Sequence, residues 1–178
     1  MRKLSIDELN RVSIEEFRLA GKIPVSVILD NVRSLNNIGS IFRTCDAFSI
    51  EKLYLCGITA CPPHKDIHKT ALGATDSVEW EYKAETLQVI KKLKSEGYCI
   101  FSAEQAEGST LLHHMILQKE KKYAIVFGHE VHGVAQSVID MSDTCIEIPQ
   151  SGTKHSLNVA VSAGIILWEA FRQIESMK

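Results

Sequence analysis

Residues 22–48 read KIPVSVILDNVRSLNNIGSIFRTCDAF, and the order of side-chain types in this stretch decides the fold class. Lys22 to Asp30 is short, rich in β-branched residues and followed at once by polar residues, the pattern of a buried strand. Asn37 to Phe48 then reads as a helix. Working outward, further strands are expected at Lys52 to Cys56, Tyr98 to Ala103, Tyr123 to Phe127 and Thr144 to Ile148, with helical stretches around Glu85 to Ser95 and Ser156 to Ser176. This alternation predicts an α/β fold, a mostly parallel sheet with helices on both faces.

The 178 residues contain 45% apolar and 24% charged side chains, the composition of an ordinary globular protein. No internal repeat, low-complexity tract or linker breaks the chain, so residues 1–178 are expected to form a single domain. Residues 1–20 offer a partial apolar face of Leu4, Ile6, Leu9, Val12, Ile14 and Phe17, which predicts an amphipathic helical leader packed on that domain. Neither a signal peptide nor a bilayer-length apolar run is present, and the chain is assigned to the cytoplasm with no membrane partner. Five scattered cysteines in mostly apolar surroundings suit reduced thiols. With 20 Lys plus Arg against 22 Asp plus Glu the net charge is −2, so binding of a nucleic acid would need a local basic patch.

Three segments carry chemistry, each placed after a predicted strand. Asn31 to Arg43 joins a strand to a helix, where unsatisfied N–H groups gather ligands; Asn37 is a cap for that helix, Gly39 permits close approach, and Arg43 can reach a phosphate as a two-pronged donor. Ala124 to Gly133 runs from an apolar strand into a loop with two glycines, a tight turn of the kind that lies over nucleotide-like ligands, although its spacing matches neither the dinucleotide fingerprint nor the P-loop. Ile148 to Val159 leads from a strand into the last helix, with Ser156 as N-cap and Asn158 just inside. That helix is nearly apolar all round in its first half, so it must be buried on several sides, in the core or against a second subunit. Taken singly, each segment also reads as ordinary structure: Asn36 and Asn37 as caps, Arg43 as a solvated helix residue, His129 and His132 as exposed loop residues.

Together and in this order, the patterns N-x5-N-x-G-x3-R, FG-x-E-x2-G and IP-x2-G-x3-SLNV resemble the three motifs of the SpoU/TrmH branch of the SPOUT RNA methyltransferase superfamily. The resemblance covers Ile23 to Phe171. It implies a SPOUT-type fold with a C-terminal trefoil knot, a rarity among proteins. It also implies S-adenosylmethionine as cofactor, contacted by Gly128, Ile148, Ser156 and Leu157 with Glu104 as a further member of the pocket, and a homodimer that completes the site. The implied reaction moves a methyl group to a ribose 2′-hydroxyl of tRNA or rRNA, with tRNA preferred. The family pattern gives the central role to Arg43, surrounded by Asn37, Glu130, Ser156 and Asn158. Because a guanidinium is effectively always protonated, Arg43 is read first as a phosphate and ribose orienter and second as a proton acceptor. Arg33, Arg43, Lys65, Lys69 and Lys154 are candidates for a positive surface toward RNA, since no separate RNA-binding domain is recognised. The chain departs from many relatives in carrying Ser34-Leu35 where they have Asp-Pro, and the resemblance assigns no role to His129 or His132.

Two other readings compete. Cys56-x4-Cys61-x2-His64-x3-His68 offers zinc-type ligands, though at no established finger spacing, and no metal is expected. A catalytically silent RNA-binding protein of the same fold is the other, set against the presence of Asn37, Arg43, Glu130, Ser156 and Asn158 at every motif position.

Overall fold

The strands of this chain line up in one seven-stranded sheet in the computed structural model, which describes residues 1–5 and 7–177. They are β1 (Ile23–Asp30), β2 (Ile50–Cys56), β3 (Trp80–Lys83), β4 (Tyr98–Ala103), β5 (Thr110–Leu111), β6 (Lys122–Phe127) and β7 (Thr144–Glu147). Their order is β3-β2-β1-β6-β4-β7-β5, and every pairing between them is parallel. The expected α/β class and parallel sheet are therefore as read. The helices are α1 (Ile14–Leu19), α2 (Leu35–Ala47), α3 (Lys65–Ala71), α4 (Ala74–Ser77), α5 (Thr86–Ser95), α6 (Gln136–Ile139) and α7 (Val159–Glu175).

Strand periodicity divides the core in two. In β1, alternate residues Val25, Val27 and Leu29 enter the larger cluster under α2, α3 and α7, while Ile28 enters the second cluster under α5 and α6. All four are fully buried, and each contributes on the order of 1.5–3 kcal/mol through removal of its apolar surface from water. Helix α2 buries Ile38, Ile41, Phe42 and Cys45. It also lies so close to α3 that a Cβ on Gly39 would stand 2.1 Å from Thr70 Oγ1 and 2.3 Å from the Ile67 carbonyl oxygen. The close approach expected at Gly39 is thus an approach of helix to helix.

Three expectations need correction. Helix α2 begins at Leu35, and Ser34 caps it by accepting the Asn37 N–H; Asn37 is free for another role. Helix α7 begins at Val159 with Asn158 as its cap, so Ser156 lies in the approach to the helix and Asn158 at its boundary. The leader is not one amphipathic helix: a 3-10 turn at Asp7–Leu9 and the short α1 leave Leu4, Leu9, Val12 and Ile14 exposed, and only Phe17 of that face is buried. Ile6, counted in that face, lies outside the described residues.

Helix α7 turns Ala163, Ile166, Leu167 and Ala170 inward, a helical stripe, while Val161, Ile165 and Trp168 stand exposed. No helix among the described residues is long and apolar enough to cross a membrane.

Candidate functional site

In parallel α/β sheets, loops at the carboxyl ends of strands form the ligand crevice. Here the carboxyl ends of β4, β6 and β7 surround a cavity of about 440 Å³, lined by the loop after β6, by Glu104 after β4 and by the segment from Ile148 to Leu157 after β7. The cavity gathers six of the sequence-predicted residues from distant parts of the chain: Glu104, Gly128, Glu130, Ile148, Ser156 and Leu157.

The loop after β6 is closed by backbone. His129 N–H donates to the Gly133 carbonyl at 3.0 Å and Gly133 N–H to the His129 carbonyl at 2.8 Å. A Cβ on Gly128 would stand 2.2–2.3 Å from Gly133 and Val134 backbone atoms, and Gly133 has φ +67°, so neither position accommodates a side chain. The Glu104 carboxylate pins the far end of the loop, accepting the Val134 N–H at 2.9 Å, and also accepts the Gln105 N–H at 2.9 Å. His129 is half-buried, and its Nδ1 accepts the Val131 N–H at 3.0 Å, which fixes its ring inside the loop. Its ring lies 4.8 Å from that of His132, and both residues line the cavity.

Glu130 links this loop to the first segment. Its carboxylate accepts the N–H groups of Arg33 at 3.0 Å and Ser34 at 2.9 Å and the Asn37 side-chain N–H at 2.9 Å. Asn37 in turn accepts the Asn158 side-chain N–H at 3.2 Å. Asn158 caps α7 through its other amide atom, accepting the Ala160 N–H at 2.9 Å. One polar chain, Glu130–Asn37–Asn158, thereby joins all three segments, and both ends of the Asn37 amide are used, which fixes its orientation. Partial burial opposes the charge on Glu130, but hydrogen bonds from Arg33, Asn37 and Ser34 outweigh it and hold the carboxyl below its usual range.

Arg43 stands apart. Six residues beyond Asn37 on α2, it lies roughly 9 Å further along and points roughly 120° away round the helix, and it does not line the 440 Å³ cavity. It is exposed and lines a second, shallower groove between α2, α3 and α7.

Sequence reasoning missed Asp30. This fully buried carboxylate accepts the Thr86 hydroxyl at 2.5 Å, the Asn31 side-chain N–H at 2.9 Å and the Ala135 N–H at 3.3 Å, tying the end of β1 to the start of α5 and α6. The available signal was an aspartate closing an otherwise apolar strand. Asn31 itself is a turn residue with φ +58°, and its side-chain oxygen accepts the Ile58 N–H. The Cys56, Cys61, His64 and His68 set does not assemble: Cys56 is buried at the end of β2, His64 caps α3, and no group of three or more His, Cys, Asp or Glu side chains that could hold a metal gathers among the described residues.

Residues 24–168 match the model of the SpoU rRNA methylase family. A tRNA (guanosine(18)-2′-O)-methyltransferase of Thermus thermophilus is 30% identical over 166 residues, 93% of this chain and 84% of that protein. The crystal structure of an A. aeolicus TrmH/SpoU tRNA modifying enzyme superposes with a TM-score of 0.81 at 29% identity, covering 92% of this chain and 83% of that one. An AdoMet-bound rRNA methyltransferase from Sinorhizobium meliloti superposes with a TM-score of 0.80 at 28% identity, covering 89% of this chain and 60% of that one.

Proposed function

The chain belongs to the SpoU rRNA methylase family, and from that premise we propose that it transfers a methyl group from S-adenosylmethionine to a ribose 2′-hydroxyl of tRNA or rRNA. The observation that carries the reading is the Glu130–Asn37–Asn158 chain, which fastens the three motif segments together beside one cavity. The relatives named for tRNA and rRNA support the substrate class, and coverage of 84% of the Thermus tRNA enzyme against 60% of the Sinorhizobium rRNA enzyme favours tRNA.

The cavity fits the cofactor by size and by donor set. About 440 Å³ lies within the range of small-molecule sites. Val134, Ile139, Ile146, Ile148 and Leu157 offer apolar walls for an adenine, while Glu104, Glu130 and Glu147 line the cavity and no Lys or Arg among the described residues does, a balance suited to a ligand that carries a sulfonium and an ammonium. Glu104, Gly128, Ile148, Ser156 and Leu157 would hold it. Bound there, S-adenosylmethionine supplies an electrophilic methyl group.

The chain's own residues position the acceptor. Methyl transfer needs in-line placement of the hydroxyl and loss of its proton. Glu130 already accepts three N–H groups, so it serves to fix Asn37 and the Arg33–Ser34 backbone. Ser156 lines the cavity with no hydrogen-bond partner among the described residues, leaving its hydroxyl available to the ribose. Arg43, always charged, orients the phosphate and ribose.

Since Arg43 lies outside its own cavity, a second copy of the chain supplies it. The exposed Val161, Ile165 and Trp168 of α7 form the apolar face through which two copies pair, a symmetric homodimer. Family membership carries a C-terminal trefoil knot as a further expectation, and the reduced thiols a cytoplasmic location. Incubation with methyl-labelled cofactor and either bulk tRNA or 23S rRNA, followed by mapping of 2′-O-methyl nucleotides, tests the reading. Labelled 2′-O-methyl nucleotide is the expected product. Cofactor binding without any methyl transfer, or no cofactor binding at all by calorimetry, returns the silent RNA-binding reading.

A further inference from the structure

The groove of about 520 Å³ between α2, α3 and α7 is lined by Arg43 and Lys69 together with Ser40, Thr44, Thr70 and Gly164, and no acidic residue among the described ones lines it. Its construction follows from Gly39. Residues four apart share a helix face, so the contact of Gly39 with Ile67 and Thr70 brings the Arg43 turn of α2 beside the Thr70 turn of α3, where Lys69 is the neighbouring residue. The groove hydroxyls have spent their protons: Ser40 and Thr70 donate to the Asn36 carbonyl and Thr44 to the Ser40 carbonyl. Donation to a ligand in the groove is therefore left to the two cations.

Both cations are exposed and without a partner among the described residues. Neither takes part in the ion pairs of this chain of net charge −2, in which Lys52 pairs with Glu79 and Glu81, Lys94 with Asp143, and Arg172 with Glu169; what sets the two apart is that they share one groove. An acid-free groove holding two unpaired, neighbouring cations is complementary to a run of negative charge.

We propose that Lys69 is an RNA-positioning residue that grips the sugar–phosphate backbone next to the phosphate held by Arg43. The inference rests on the reading of the chain as an RNA methyltransferase. Two contacts fix the direction of the strand across the groove, which one contact does not, and the register of the acceptor ribose follows from that direction.

Binding of bulk tRNA and of 23S rRNA is measured over a series of KCl concentrations for the wild type, Lys69→Ala, Lys69→Glu, Lys69→Arg and the control Lys92→Ala, a lysine paired with Glu96 on the opposite face of the sheet, with cofactor calorimetry and kinetics alongside. For the RNA that the wild type binds, Lys69→Ala is expected to flatten the log–log salt slope by about 0.7–0.9, the loss of one phosphate contact, and Lys69→Glu to weaken binding about tenfold near 0.1 M salt. KM for RNA rises by more than kcat falls while cofactor affinity holds, and Lys69→Arg restores most of the slope. A wild-type slope in Lys69→Ala, or an equal change in Lys92→Ala, overturns the proposal while leaving methyl transfer intact. A wild type that binds RNA with the predicted Lys69 dependence but transfers no methyl group overturns the activity reading alone, and one that binds neither RNA overturns both.

Discussion

The Glu130 carboxylate accepts the Asn37 side-chain N–H at 2.9 Å across 93 residues of sequence, tying the loop after β6 to the first turn of α2. Glu130→Gln removes the charge and turns an amide N–H toward donors, so the variant should lose about 1–3 kcal/mol of stability by urea titration and at least tenfold in methyl transfer. Asn37→Asp sets a second carboxylate against the first and should be worse than Asn37→Ala. Equal urea midpoints for wild type and Glu130→Gln would remove Glu130 from its structural role.

The same carboxylate sets an acid limit. Burial opposes ionisation of Glu130 and of Asp143, but hydrogen bonds outweigh it and hold both below their ordinary values of 4.5 and 3.8; Asp143 accepts from Lys94 and the Ile100 N–H. A carboxyl lowered on folding contributes stability that is complete above its unfolded pKa and is lost as pH falls through the folded one. The stability gap between wild type and Glu130→Gln should therefore be constant above about pH 5 and shrink as pH falls below 4.5. A gap that widens on acidification would contradict the sign.

How much of this was legible beforehand differs by element. Apolar strands announced themselves: Tyr98 to Ala103 was read with the bounds it has, because Tyr98 to Phe101 is an unbroken apolar run, although only alternate residues of the strand are fully buried. The short pieces, β3, β5, α4 and α6, run from two to four residues, too few for a period to register. The capping errors at Asn37 and Ser156 share a cause. Several residue types able to cap stood within three positions, and tertiary contacts chose among them: Asn37 was claimed by Glu130, and Asn158 reached Asn37 only from the cap position of α7. The site residues were legible as three spaced motifs. That Arg43 sits away from the others was not, since linear spacing says nothing of which helix face meets which cavity.

Gly128 tests whether the loop must close on backbone. In Gly128→Ala the new methyl meets the Gly133 carbonyl carbon at 2.2 Å and Val134 N at 2.3 Å, atoms that no rotamer change can move. The loop should open and cofactor affinity fall at least a hundredfold by calorimetry, a loss of about 2.7 kcal/mol. The clash at Gly133 involves the Glu104 side chain instead, although the left-handed φ remains, so pairing Gly133→Ala with Glu104→Ala should relieve part of its defect. Wild-type affinity in Gly128→Ala would show that the loop is looser than its hydrogen bonds imply.

Ile165, 37% exposed on α7 between the exposed Val161 and Trp168, tests the apolar face. Ile165→Asp places a charge there at little cost to a monomer, whose core is formed by the opposite side of the helix. Sedimentation should show dimers for the wild type and monomers for the variant, with a melting temperature in the variant that no longer depends on protein concentration. Monomers for both would leave the exposed stripe without a partner copy.

Arg43 completes the set, because its separation from the cavity makes a prediction about two chains at once. Arg43→Ala should abolish turnover while cofactor binding stays at the wild-type level, since the arginine does not line the 440 Å³ cavity. Gly128→Ala should fail for the opposite reason, with the arginine intact and the cavity closed to cofactor. If the arginine of one copy serves the cavity of the other, a mixed dimer of these two inactive chains contains one cavity that is sound and faces a sound Arg43. Random re-pairing of equal amounts makes about half of the dimers mixed, so about a quarter of wild-type activity should appear on mixing. An arginine acting within its own chain predicts none, because then every cavity lacks either its cofactor or its Arg43. Activity on mixing, abolished again by adding Ile165→Asp to both chains, would place Arg43 across the interface.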